Sequence, residues 1–281
     1  MPPLPVSPDL YLPVASALLR YRDEGRGPAV LLIHGWTLDL DMWDPQVAAL
    51  GDSFRLIRFD RRGFGLSSGR ASLSADVRDA LSICDQLQLE RLACVGMSQG
   101  ARAALQLCHT APERISCAVL DGPPRMLADD ADHAGEAAEQ LGDVPVSEYR
   151  SLIARGEIEQ FRRRWASHPM MQLATRSAHA RALLERMTAR YSGNDLLQDS
   201  PEAEEHWDRA SLASLTLPTL VVTGEHDLPP RLRAADALSE ALPLAQRTSI
   251  RAARHIPNLD NPVTYNAVLR AFLERHAGSP H

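Results

Sequence analysis

Ser98 sits in the run Gly96-Met97-Ser98-Gln99-Gly100, with apolar residues 92–95 before it and the alanine-rich residues 101–105 after it. An apolar run that passes through Gly-x-Ser-x-Gly into a helical pattern reads as a buried strand turning sharply into a helix, with the serine at the apex. Such a turn presses the residues on either side of the apex together, so Gly96 and Gly100 stand where a side chain would collide. The chemistry on offer is nucleophilic. A serine hydroxyl attacks a carbonyl carbon once a base takes its proton, and a helix N-terminus beside it stabilises the negative charge that forms.

His255 is the candidate base, because imidazole titrates near neutral pH and can both take and return a proton. Asp227 is the candidate partner: a carboxylate there accepts the second imidazole N–H, fixes the tautomer and stabilises the imidazolium. Asp121 and Asp60 also follow strand patterns, and Glu225 lies two residues before Asp227. Asp227 is preferred because it directly precedes His255 in strand order, while Asp60 and His226 read as ordinary turn and loop residues. Acyl transfer also needs preorganised donors for the developing oxyanion. The backbone N–H of Gln99 is one, and Trp36, in the run His34-Gly35-Trp36, supplies the second, with Gly35 letting that backbone approach.

The elements that must hold these groups are legible in outline. Residues 10–22 alternate as a strand pair, 29–33 form a continuous apolar run of the kind buried in a parallel sheet, and 54–59, 92–97, 115–120, 219–223 and 246–251 read as further strands. Helical patterns lie between them: one begins near Asp44-Pro45, another is capped by Ser74 and runs through Val77, Leu81, Ile83 and Leu87, and a last one spans about 262–275. From 125 to 210 strand patterns vanish and helical stretches take over, over 146–165 and 170–191. Alternating strands and helices indicate a doubly wound, mostly parallel α/β sheet, and the all-helical block is an insertion over one end of it. In such sheets ligands bind outside the carboxyl ends of the strands, which is where His34-Gly35-Trp36, Ser98, Asp227 and His255 all fall.

Composition narrows the partners. The chain has 281 residues and a formal net charge of −6, which argues against nucleic acid, since phosphate binding needs clustered Lys and Arg. The one dense basic run, Arg162-Arg163-Arg164, reads as a solvated helix face. Cys84, Cys94, Cys108 and Cys117 lie in apolar patterns without metal-ligand spacing and read as small buried hydrophobes in a reducing compartment. Residues 1–8 read as a loose leader, no signal peptide or membrane span is indicated, and a soluble cytoplasmic protein is expected, monomeric or homodimeric. No metal or other cofactor is expected.

The whole chain resembles the capped group of the α/β-hydrolase superfamily, which includes esterases, enol-lactonases, cofactor-free haloperoxidases and carbon–carbon hydrolases. The resemblance rests on His34-Gly35-Trp36, Asp60-Arg61-Arg62-Gly63-Phe64-Gly65-Leu66-Ser67, Gly96-Met97-Ser98-Gln99-Gly100, Gly224-Glu225-His226-Asp227 and His255, in that order. It implies an eight-stranded sheet, with a hydrolase core over 9–124 and 211–278 and a helical cap over 125–210. It also implies a triad of Ser98, Asp227 and His255 and an oxyanion hole of Trp36 and Gln99, supported by His34, Gly35, Gly96 and Gly100. Gln99 departs from the Met-Gly pair that often follows the nucleophile in lactonase-like relatives.

The expected activity is hydrolysis of a small ester, lactone or thioester through an acyl-enzyme. The alternatives are carbon–carbon bond hydrolysis of a dienone-type substrate and a ligand-binding homologue without turnover. In the cap, Tyr149, Leu152, Ile153, Phe161 and Trp165 are expected on one helix and Leu183, Leu184, Met187 and Tyr191 on another, mostly packing the cap and in part lining an apolar cleft. His168 and His179 read as exposed helix histidines.

Overall fold

A computed structural model describes residues 7–127, 144–197 and 207–278. The expected leader lies almost wholly outside the described residues, as do two stretches of the expected cap, 128–143 and 198–206. The elements in chain order are β1 (Leu10–Val14), β2 (Ala17–Gly25), β3 (Ala29–Ile33), α1 (Asp44–Leu50), β4 (Arg55–Phe59), α2 (Leu73–Gln86), β5 (Leu92–Met97), α3 (Gln99–Thr110) and β6 (Ile115–Asp121). Then follow α4 (Val146–Ala154), α5 (Ile158–Ser167), α6 (Ala178–Arg190), α7 (Arg209–Ala213), β7 (Thr219–Gly224), α8 (Pro229–Ala241), β8 (Ala245–Ile250), α9 (Pro257–Asp260) and α10 (Pro262–His276).

The strands form one eight-stranded sheet in the order β1-β2-β4-β3-β5-β6-β7-β8. β1 and β2 pair antiparallel, as does β2 with β4, and every later pairing is parallel. Strand order reverses between β3 and β5, because the chain after β3 goes to β4 on one side and then to β5 on the other. The loops that leave these two neighbours therefore diverge and open a crevice at their carboxyl ends.

Apolar side chains alternate between two cores, one on each face of the sheet. Along β3, Val30 and Leu32 join the core covered by α1, α9 and α10, and Leu31 and Ile33 join the core covered by α2, α3 and α8. Continuous apolar runs thus mark strands with both faces covered. The cap residues Tyr149, Phe161, Trp165, Leu183 and Tyr191 belong to the first of these cores, so the helices between β6 and β7 pack into the body of the molecule. Leu127 and Trp207 meet in an isolated bridge, which brings the outgoing and returning chain side by side.

Four local expectations are corrected. Helix α2 starts one residue after Ser72, whose hydroxyl accepts from the Ala75 N–H, so Ser72 and not Ser74 is its cap. The pattern over 146–165 is two helices: Gly156 has φ of +74° and closes a Schellman turn, with N–H groups of Gly156 and Glu157 reaching the carbonyls of Ile153 and Leu152. Residues 170–191 likewise open with a turn of 3-10 helix over Pro169–Met171 before α6 begins. His168 is half-buried rather than exposed; it stacks on Trp165 and its Nδ1 accepts from the Met170 N–H. His179 is exposed as expected.

The four cysteines are buried and free. Burial pushes the Cys84 and Cys117 thiols up to about 12, which leaves them inert near neutrality.

Candidate active site

The elbow follows from steric exclusion. A Cβ on Gly96 would overlap the carbonyl of Gly100, and a Cβ on Gly100 would overlap the carbonyls of Ile33 and His34. With both removed, strand and helix close on each other and force Ser98 to φ 52°, ψ −115°. This is a strained conformation for a residue with a side chain. Although Ser98 is the N-cap residue of α3, its hydroxyl makes no capping bond. It faces His255 instead, with Oγ 3.2 Å from Nε2.

Two loops converge to place the imidazole. The β7–α8 loop carries Asp227 and the β8–α9 loop carries His255. Backbone N–H groups of Glu225 and His226 donate to the carbonyls of Ile250 and Ala253, and the Ala252 N–H donates to the Glu225 carboxylate. Asp260 then accepts from the Arg254 N–H at 2.7 Å and from Thr175 of the cap at 3.0 Å. Asp227 and His255 are consequently set close, His255 Nδ1 lying 3.1 and 3.0 Å from the two Asp227 oxygens. The Leu228 N–H donates to Asp227 Oδ1 at 2.7 Å. Because the carboxylate only accepts, the ring proton sits on Nδ1, and Nε2 is left bare to accept from the Ser98 hydroxyl. Gly122 completes the fit, since a Cβ there would stand 3.0 Å from His255 Cε1.

The rival carboxylates have other occupations. Asp121 is fully buried, and burial pushes its carboxyl well above the usual carboxylate range, with the Tyr265 hydroxyl facing it. Glu225 is exposed and clasps the β8–α9 loop. His226 is exposed beside it. Asp60 does more than form a turn: it is completely buried, accepts from the N–H groups of Leu40 and Leu66 and pairs with Arg20 at 3.1 Å. Strand β2, the segment after β3 and the loop that leaves β4 are thereby tied together at the end of β4.

Trp36 and Gln99 follow neighbouring strands, Ile33 lying in register with Gly96. Their backbone N–H groups make no hydrogen bond among the described residues. His34 organises this corner. Its Nε2 accepts from the Arg61 N–H at 2.9 Å, so Nδ1 carries the proton and donates to the Gly35 carbonyl at 2.8 Å. Burial, with the Arg61 charge adding to it, drops the His34 imidazole to about 3, which keeps it neutral. Arg61 in turn pairs with Asp76 at 2.6 Å and donates to the Gln99 side-chain oxygen at 2.8 Å. Sequence reading quoted Arg61 inside a motif and gave it no task; its signal was a charged pair directly after a buried strand.

Residues between β6 and β7 close over the same corner. Trp36 Nε1 donates to Asp195 at 2.7 Å, Tyr191 donates to the same carboxylate at 2.6 Å, and Trp165 Nε1 donates to Thr37 Oγ1 at 2.7 Å. Trp36 packs edge-on against Phe161, Trp165 and Tyr191. Beneath lies a cavity of about 460 Å³ that Ser98 and His255 border, with Trp36, Met97, Met170 and Leu196 among its apolar walls. A serine hydroxyl bonded to a tautomerically fixed imidazole, beside two open amides, can attack a bound carbonyl and stabilise the oxyanion that results.

The profile of the α/β hydrolase fold family matches residues 28–262. The chain belongs to the α/β-hydrolase fold family. It is 25% identical over 272 residues to the pimeloyl-[acyl-carrier protein] methyl ester esterase of Aliivibrio salmonicida, covering 91% of this chain and 96% of that protein. It is 25% identical over 253 residues to 3-oxoadipate enol-lactonase 1 of Acinetobacter baylyi, covering 88% and 89% of the two. Among solved structures, a thermophilic esterase from Thermogutta terrifontis superposes with a TM-score of 0.78 at 24% identity, over 96% of this chain and 99% of that one, a likeness of fold. The two sequence relatives are named as an esterase and a lactonase, and the sheet of this chain is eight-stranded and mostly parallel. Among the described residues, no helix is long and apolar enough to cross a membrane.

Proposed function

We propose that this α/β-hydrolase is a serine hydrolase that cleaves a small carboxylic ester, lactone or thioester through an acyl-enzyme. Ser98 attacks the carbonyl carbon, His255 takes the hydroxyl proton and returns it to the leaving group, and Asp227 holds the imidazole in its productive tautomer. The N–H groups of Trp36 and Gln99 hold the tetrahedral oxyanion, and residues 125–210 form the cap over the cleft. Water then attacks the acyl-enzyme by the same proton route in reverse. The observation that carries this reading is the unbroken hydrogen-bonded chain from Asp227 through His255 to Ser98, at the rim of a cavity of about 460 Å³. The relatives named as ester and lactone hydrolases support the reaction class, and the cavity suits a small-molecule substrate. A soluble cytoplasmic protein without bound cofactor fits this chemistry.

The test is labelling with a fluorophosphonate followed by peptide mapping. Modification is expected on Ser98 alone and is lost in His255→Ala. Labelling elsewhere, or ester hydrolysis unchanged in Ser98→Ala, would overturn the assignment.

A further inference from the structure

Among the described residues, Arg61, Arg102, Arg150 and Arg231 line the cavity beside Ser98 together with the carboxylate of Asp195; Arg102 donates to the Arg125 carbonyl and Arg231 to the Met170 sulfur. This excess of arginine runs against the chain as a whole, whose net charge is −6. Asp195 is already committed to Trp36 and Tyr191. The charge of Arg61 is answered by Asp76 at 2.6 Å. Arg150 has no such answer. It lies on α4 next to the buried Tyr149, is itself half-buried, and its Nε is shielded from solvent with no hydrogen-bond partner among the described residues. A guanidinium held at a cavity wall without a counter-charge is costly, and a ligand carboxylate relieves that cost with a planar, two-pronged pair.

We infer that the substrate is an ester or lactone that carries a carboxylate away from its scissile bond, and that Arg150 receives that carboxylate. This rests on the hydrolase reading above and names its substrate class. Arg150 acts in binding, so its contribution falls on KM and on discrimination between charged and neutral substrates, with Ser98 chemistry unaltered in kind.

The test compares matched ester pairs at neutral pH. Monomethyl adipate against methyl heptanoate places the charge on the acyl side; 4-hexanoyloxybutanoate against pentyl hexanoate places it on the alcohol side. The wild-type protein is expected to prefer the anionic member of at least one pair by about ten- to a hundredfold in kcat/KM. Arg150→Met is expected to collapse that ratio through KM, while Arg150→Lys keeps part of it. Equal rates within both pairs, or a ratio untouched by Arg150→Met, would overturn the inference and leave the hydrolase reading standing. A second measurement is independent of turnover: calorimetry of both anionic esters, monomethyl adipate and 4-hexanoyloxybutanoate, on Ser98→Ala protein, with and without Arg150→Met. About tenfold weaker binding of at least one of them in the double variant supports the inference even if no ester is cleaved. No binding, or equal binding, of both ends it.

Discussion

A neutral imidazole at position 34 ties the loops after β3 and β4 together, and its burial has a measurable signature. Its pKa is about 3 in the folded protein against an ordinary value of 6.5, so between these pH values the unfolded chain binds the extra proton. Stability from His34 is therefore complete above pH 6.5 and declines as pH falls toward 3, by at most ~1.4 kcal/mol per pH unit. Burial pushes the Asp76 and Asp39 carboxyls up to about 6, which gives the opposite slope below that pH. His34→Gln preserves an acceptor for the Arg61 N–H and removes only the titration. Urea unfolding from pH 7 to 4 should thus show the wild type losing stability relative to His34→Gln as the solution is acidified; parallel curves would refute it. The two buried carboxyls near His255 separate in the same way. Burial favours the neutral form of Asp121, and Asp227 rather than Asp121 bonds His255, so Asp121→Asn is expected to keep kcat within about threefold, whereas Asp227→Asn leaves the imidazole in the wrong tautomer and should cost about 10⁴ in kcat. Ser98→Ala and His255→Ala should lose similar amounts, and their combination no more, because the pair acts as one proton-transfer unit.

At the level of elements, small residues set what the chain can do. The elbow needs Gly96 and Gly100 because their Cβ positions are occupied by neighbouring backbone. Gly156 is a different case, since nothing lies within 4 Å of the place its Cβ would take. Its only requirement is φ of +74°. Gly156→Ala should therefore cost about 1 kcal/mol of stability by denaturant titration, and Gly156→Asn less, with activity retained. A loss of several kcal/mol would mean that packing, not backbone conformation, governs the α4–α5 turn. The apolar spacing through Tyr149, Leu152, Phe161 and Trp165 looked like one helix because a glycine can sit inside a helical pattern without breaking its period. Only the left-handed backbone at Gly156 shows that the period restarts in α5.

Across the molecule, the helices proposed as the cap are fastened to the loop that carries the proposed oxyanion donor. Trp36, Thr37 and Asp39 are bonded respectively to Asp195, Trp165 and Arg190. Asp195→Ala would strand the Trp36 indole N–H and the Tyr191 hydroxyl, at about 1–3 kcal/mol each when buried. We expect a lower melting temperature together with a fall in kcat larger than any rise in KM, measured by calorimetry and ester kinetics. Unchanged kcat would show that the cap and the oxyanion loop are independent. Local patterns along the chain determined the strands, the elbow at Ser98 and the residues that end each strand, because burial on both sheet faces and the glycine-flanked apex leave their mark in neighbouring residues. What only the tertiary structure decided is which of those residues meet. Asp60 ties β2 and two loops to the end of β4 rather than only forming a turn, Arg61 bridges Asp76 and Gln99, and Arg150 joins Arg61, Arg102 and Arg231 at one cavity. The physical reason is that burial, pairing and charge balance are set by contacts between segments far apart in sequence, and a lone arginine on an amphipathic helix carries no mark of the wall it will line.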